Sequence, residues 1–273
     1  MKIAVIQMLV GDDKLLNLDR ACDFVAQAAQ GGAQVAVLPE MFNCPYKTEN
    51  FPVYAEKAGG HSWQRLSDAA RQNDVYVVGG SLPEADDAGR VFNSSYVFDR
   101  KGRQIGKHRK AHMFDIDIPG GQRFKESETL TPGNEVTTFE TEFGVMGLAI
   151  CYDFRFPEIS RIMVDRGAHV IFVPAAFNMT TGPAHWEILF RCRAQDYQCF
   201  TVGVSPARND KGCYVSYANS IVASPWGDIL MKMEEDEGIG FCNLDFAYLK
   251  KVRKEFPLRS HFRKKLYEEQ AIL

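Results

Sequence analysis

The stretch Val145-Met-Gly-Leu-Ala-Ile-Cys151-Tyr-Asp-Phe-Arg-Phe-Pro157-Glu158 decides the architecture. Val145–Ile150 is an apolar run that reads as a strand, the chain breaks at Cys151–Asp153, and Pro157 opens a helix. Proline suits that first helical position, because its fixed φ and missing N–H cost nothing there. Strand, cysteine-bearing turn and helix form the unit from which parallel sheets are built, and such sheets gather ligands at the carboxyl ends of their strands. No histidine lies within a dozen residues of Cys151. The cysteine is therefore either a buried structural thiol or a nucleophile whose proton goes elsewhere.

Outward from this stretch the same pattern occurs twice. Ile3–Gln7, Val35–Leu38 and Val75–Gly79 read as strands, with helical spacing over Asn17–Ala29 and Ser62–Gln72. Val91–Phe98 and Gln104–His108 flank Asp99-Arg-Lys-Gly102, a hairpin turn. The second pass has strands at Val145–Ile150, His169–Val173 and Phe200–Ser205, and helices at Pro157–Arg166 and Pro183–Tyr197. A hairpin over Val215–Ser224 and Ile229–Met233 ends it. Val37-Leu-Pro39-Glu echoes Val173-Pro174-Ala, and Asn93-Ser-Ser-Tyr echoes Asn219-Ser-Ile-Val.

Two βαβαββ units predict an α/β fold with two sheets face to face and helices outside, a four-layer α-β-β-α sandwich forming one domain over residues 1–273. A single doubly wound sheet is the alternative, but it has no use for the second hairpins. The segment Lys110–Glu135 is long and rich in Gly and Pro, and reads as a functional loop.

Composition excludes several classes. Of 273 residues 45% are hydrophobic, enough for a sizeable core, and the net charge of −3 has no long block of one sign. No nucleic-acid or membrane partner is expected; the basic run Lys101–Lys110 reads as a hairpin. The seven cysteines show neither a CxxC pair nor zinc-ligand spacing, and His61, His108, His169 and His261 show none either. The expectation is a soluble, reduced, cytoplasmic protein without metal or cofactor.

Three residues at strand ends bear chemistry: Glu40, Lys110 and Cys151. A thiol of pKa about 8.5 needs a base or a nearby cation to act at neutral pH. A glutamate whose own pKa is raised by burial or a like charge can take the proton. A buried lysine can then hold the oxyanion of a tetrahedral intermediate.

These residues, within Leu38-Pro-Glu40-Met-Phe42, His108-Arg-Lys110-Ala-His112 and Gly147-Leu-Ala-Ile-Cys151-Tyr-Asp-Phe-Arg-Phe-Pro-Glu158, resemble the nitrilase superfamily of carbon–nitrogen hydrolases. The likeness extends over nearly the whole chain. It implies the α-β-β-α sandwich, a Glu40–Lys110–Cys151 triad, a second carboxylate at Glu126, no cofactor, and a homodimer or higher homo-oligomer. Tyr152-Asp153 after the cysteine resembles the amidase branches rather than those acting on nitriles. Closer resemblance is to omega-amidases, through Asn43-Cys-Pro-Tyr46, Phe114-Asp-Ile-Asp-Ile-Pro119, Phe177-Asn-Met-Thr-Thr-Gly182 and Ser205-Pro-Ala-Arg208. This implies a small amide substrate carrying a carboxylate, such as 2-oxoglutaramate, hydrolysed through a thioester, with the Tyr152 N–H in the oxyanion hole. Deaminated-glutathione or other small aliphatic amidases are the alternative, and a binding or scaffold protein without turnover is the alternative of another class.

A carboxylate substrate needs fixed positive charge or donors opposite the amide. Arg155, four residues past the cysteine, serves either that purpose or an ion pair with Asp153 or Glu158. Thr180 and Thr181 precede a helix and either face an anion or cap that helix. Tyr46, Phe114 and Phe177 are candidate pocket walls. His112 and His185 are rival bases or loop supports.

Overall fold

The structure is a computed structural model that describes residues 1–117 and 123–270. Its first sheet runs Gly238–Asn243, Lys2–Gln7, Val35–Val37, Tyr76–Val78, Val91–Phe98, Leu82–Ala85 and Glu56–Lys57, with Gln104–Arg109 also paired to Val91–Phe98. The second runs Thr137–Thr141, Gly144–Leu148, Val170–Pro174, Phe200–Val204, Ile221–Ala223 and Ile229–Lys232. In each sheet three neighbouring strands are parallel: Lys2–Gln7, Val35–Val37 and Tyr76–Val78 in one, Gly144–Leu148, Val170–Pro174 and Phe200–Val204 in the other.

The two sheets pack through their inner faces. Ile3, Val5, Val37 and Val78 of the first share one core cluster with Met146, Phe172 and Val202 of the second. The alternate residues Ala4, Ile6 and Ala36 point outward, under Leu18, Val25 and Leu66 of the helices Lys14–Gln30 and His61–Gln72. On the other side Met163, Trp186 and Phe190 bring the helices Pro157–Asp165 and Gly182–Tyr197 onto the second sheet. Both faces of each central strand are thus apolar, which is why the strands read as unbroken hydrophobic runs. The four-layer sandwich is the fold.

Several elements differ from expectation. The first helix starts at Lys14 rather than Asn17, because the Asp13 carboxylate accepts from the Leu15 and Leu16 N–H groups and caps it. The second hairpin begins only at Ile221, since Ala218 and Asn219 adopt φ of 59° and 58°, outside the strand region. The halves are not closed units either: Gly238–Asn243, past the second hairpin, pairs antiparallel with Lys2–Gln7 and completes the first sheet. The Lys110–Glu135 segment contains a small hairpin, Asp115–Asp117 with Arg123–Lys125, and a 3₁₀ turn over Glu126–Glu128. Ile118 and Pro119 lie outside the described residues. Among the described residues, no helix is long and apolar enough to cross a membrane.

Candidate active site

Glu40 follows the strand Val35–Val37 through Leu38-Pro39, Lys110 directly follows Gln104–Arg109, and Cys151 opens a 3₁₀ turn after Gly144–Leu148. Both the Glu40 and the Cys151 turns are tight: Met41 adopts φ of 49° and Cys151 itself 47°, a region that non-glycine residues adopt at a cost of about 1–2 kcal/mol. Two sheets meeting face to face bring these strand ends together.

The result is a buried charge cluster. Lys110 Nζ donates to Glu40 Oε1 at 3.1 Å and to Glu126 Oε1 at 2.8 Å, and all three side chains are fully buried. The Tyr46 hydroxyl lies 2.6 Å from Glu126 Oε1 and 3.2 Å from Glu40 Oε1, bridging the two carboxylates. Asn93 Nδ2 donates to Glu40 Oε1 at 2.8 Å, and the Ala176 N–H to Glu40 Oε2 at 2.8 Å. The Phe114 N–H donates to Glu126 Oε2 at 2.8 Å.

Two carboxylates around one ammonium set the protonation pattern. Burial raises the Glu40 carboxyl above the ordinary glutamate value, the Lys110 charge pulls it back, Glu126 pushes it up again, and hydrogen bonding to Cys151 lowers it. For Lys110, burial works against the charge, but Glu126 and Glu40 outweigh it and hold the ammonium well above the usual lysine range. Burial and then the Glu40 charge push the Cys151 thiol well above its ordinary value, against the pull of Lys110. The cluster thus pairs a thiol whose ionisation is disfavoured with a lysine whose charge is favoured and a carboxyl of raised basicity.

Cys151 opens into a narrow cleft lined by Phe114, Tyr152, Arg155, Ala176, Phe177 and Thr181. The sequence-derived residues Phe114, Tyr152, Arg155, Phe177 and Thr181 are therefore brought to one cavity. The Arg155 guanidinium lies over the Phe177 ring at 4.6 Å and contacts His185 Nδ1 at 3.2 Å. Among the described residues no carboxylate pairs with Arg155, so the ion pair with Asp153 or Glu158 is absent. Thr180 is exposed and outside the lining, and Asn178 Oδ1 accepts from the N–H groups of both Thr180 and Thr181. Those backbone donors do not face an anion. Tyr46 lines a separate, larger cavity of about 260 Å³ that Glu40 and Tyr214 also line.

Sequence reading missed three participants. Asn93 entered only as part of an internal echo. Tyr214 packs against Tyr46 with ring centroids 4.7 Å apart and donates to the Ala176 carbonyl at 2.5 Å. Asp153 is fully buried and accepts from His108 Nε2 at 2.9 Å and from the Ala111 and His112 N–H groups at 3.0 and 2.8 Å. The His112 ring, stacked on Phe156 at 3.8 Å, bonds Asp153 as well, so His112 supports the loop. The one available signal was spacing: His108, Lys110 and His112 alternate, as side chains on one face of an extended segment do.

Comparison with known proteins agrees with this geometry. Residues 2–254 match the family described as carbon-nitrogen hydrolase. The chain is 46% identical over 266 residues to the omega-amidase NIT2 of Xenopus tropicalis, spanning 97% of this chain and 96% of that protein. Nit3 of Saccharomyces cerevisiae, a member of branch 10 of the nitrilase superfamily, superposes with a TM-score of 0.88 at 39% identity, covering 94% of both chains. An amidase from Nesterenkonia sp. AN1 superposes with a TM-score of 0.79 at 25% identity, covering 96% of this chain and 100% of that one. Its structure carries the product of Michael addition of acrylamide at its active-site cysteine.

Proposed function

This chain belongs to the carbon–nitrogen hydrolase family, and we propose that it hydrolyses the terminal amide of a small ω-amido 2-oxo dicarboxylic acid, such as 2-oxoglutaramate, releasing ammonia. The observation that carries this reading is that Cys151 and Arg155 line one narrow cleft. A thiol at one wall and, at another, a guanidinium with no carboxylate partner among the described residues suit a molecule with an amide at one end and a carboxylate at the other.

Glu40 removes the Cys151 proton as the sulfur attacks the amide carbon. Burial disfavours a free thiolate here, so proton transfer and attack are coupled. Lys110 has three N–H groups and spends two on Glu40 and Glu126, leaving the third for the oxyanion. The Tyr152 N–H, near the start of its 3₁₀ turn, supplies a second donor. The tetrahedral intermediate collapses, the C–N bond breaks, and protonated Glu40 gives its proton to the departing ammonia. Glu40 then activates water, which attacks the thioester and releases the carboxylic acid and the thiol. Glu126 and Tyr46 hold Lys110 and Glu40 in place throughout.

The name of the Xenopus tropicalis relative supports the same substrate class. The proposal also includes a cytoplasmic setting and a homo-oligomer; sedimentation of the purified chain tests the latter. Ammonia release measured side by side with 2-oxoglutaramate, glutamine, asparagine and deaminated glutathione tests the substrate. The expected order places 2-oxoglutaramate first, and Arg155→Leu lowers its kcat/KM by roughly 100-fold while sparing an uncharged amide. Equal loss with an uncharged amide rules out the carboxylate clamp. An unreactive Cys151 with no turnover of any amide would favour a binding protein.

A further inference from the structure

The Asp153 carboxylate joins the two segments that carry Lys110 and Cys151. Its Oδ1 accepts from the Ala111 N–H at 3.0 Å, the His112 N–H at 2.8 Å and His112 Nδ1 at 2.9 Å, all just past Lys110. Its Oδ2 accepts from His108 Nε2 at 2.9 Å, two residues before Lys110, and from the Ile150 N–H at 3.2 Å, immediately before Cys151. His108 is itself anchored, its Nδ1 lying 3.0 Å from the Thr137 hydroxyl on the edge strand of the second sheet. Five contacts thus converge on one fully buried carboxylate. Despite burial, the hydrogen bonds from His108 and His112 hold it well below the usual aspartate range, so it remains ionised.

We propose that Asp153 is a positioning residue for the hydrolysis: its carboxylate sets the distance and orientation between the Lys110 ammonium and the Cys151 thiol, and holds Cys151 in its left-handed turn. Asp153 lines no part of the cavity beside Cys151. It acts through the two residues it locks. Both carboxylate oxygens face donors only, three on Oδ1 and two on Oδ2, so the NH₂ of an isosteric amide meets at least two of them. Displacements of about 1 Å in such an arrangement cost on the order of 100-fold in rate.

This inference rests on the thiol-hydrolase reading above, and its test separates the two. Asp153→Asn is expected to lower kcat for 2-oxoglutaramate roughly 100-fold with KM changed less than about threefold. Alkylation of Cys151 by iodoacetamide, mapped by peptide mass, reads the same geometry without any substrate and is expected to slow relative to Cys192. A milder pair covers failure of Asp153→Asn to fold. His112→Asn retains an N–H near the Nδ1 position and is expected to keep most activity, whereas His112→Leu is expected to lose at least tenfold in kcat at unchanged KM. If the wild-type chain is inert toward amides, the functional reading falls, while the alkylation comparison still decides the clamp. Folded Asp153→Asn or His112→Leu with wild-type kcat and wild-type Cys151 alkylation, changed only in Tm, overturns the proposal.

Discussion

At the scale of single residues, the chemistry follows from crowding two carboxylates around one buried ammonium. As the proposed base, Glu40 acts only when deprotonated, and its carboxyl is raised by burial and by Glu126. kcat/KM should therefore rise with pH through an acid limb lying above the ordinary glutamate value of about 4.3, and activity should be lost as pH falls through it. Asn93→Ala removes the amide that donates to the charged form of Glu40 at 2.8 Å. Losing that bond raises the Glu40 pKa further, so the acid limb should move to higher pH; a limb unmoved or moved down contradicts the assignment. Glu40, Lys110 and Cys151 were legible as candidates because strand ends and residue type single them out. Asn93 and Tyr214 were not, since an asparagine in a strand and a tyrosine in a loop carry no sequence mark of hydrogen-bond partners 53 and 38 residues away. Asp153 was visible as part of the Tyr152-Asp153 pair and as a partner for Arg155, and the histidines flanking Lys110 claimed it instead.

At the scale of elements, the strand–turn units were legible and the caps and edges were not. The apolar runs of the central strands mark burial on two faces, and Pro157 marks a helix start. The Asp13 cap, the left-handed pair Ala218-Asn219 and the glycine-bearing strand Gly238–Asn243 depend on backbone conformations and pairings that composition does not encode. The turns around the cluster are under more constraint than their sequences suggest. Gly80, at φ +57°, passes beneath the Glu40 turn, and a Cβ there would come within 2.2 Å of the Pro39 carbonyl oxygen. Gly80→Ala should lower stability by about 2 kcal/mol or more, from the left-handed φ and the forced shift of backbone. Because the shift falls beside Glu40, activity per folded molecule should fall as well. Thermal denaturation together with active-site titration checks both; an unchanged Tm contradicts the geometry.

At the scale of the molecule, the two halves share one interior. Val5, Val37, Phe172 and Val202 belong to one cluster between the sheets, and the strand Gly238–Asn243 ties the end of the second half to the first sheet. The two outer helix layers should therefore unfold together. Trp63, packed on Phe98 in the first half, and the fully buried Trp186 in the second report on opposite layers. Variants retaining only one or the other tryptophan should give coincident denaturation midpoints by fluorescence, and separated midpoints would mean that each half is stable alone. Phe172→Ala, in the shared core, should cost about 3–5 kcal/mol in both reporters. The doubled pattern of strands and helices foretold this sandwich; the exchange of its last strand between the halves is a pairing across the whole chain that no local pattern signals.

The central claim is that Cys151, served by Glu40 and Lys110, forms a covalent acyl intermediate with a small ω-amido acid. Acid-quenching the enzyme during turnover of 2-oxoglutaramate and mapping the adduct by mass spectrometry tests this directly. The expected result is one acyl group on Cys151, formed with release of one ammonia, and absent from Cys151→Ala. Steady ammonia release by Cys151→Ala, or an adduct on any other residue, contradicts it.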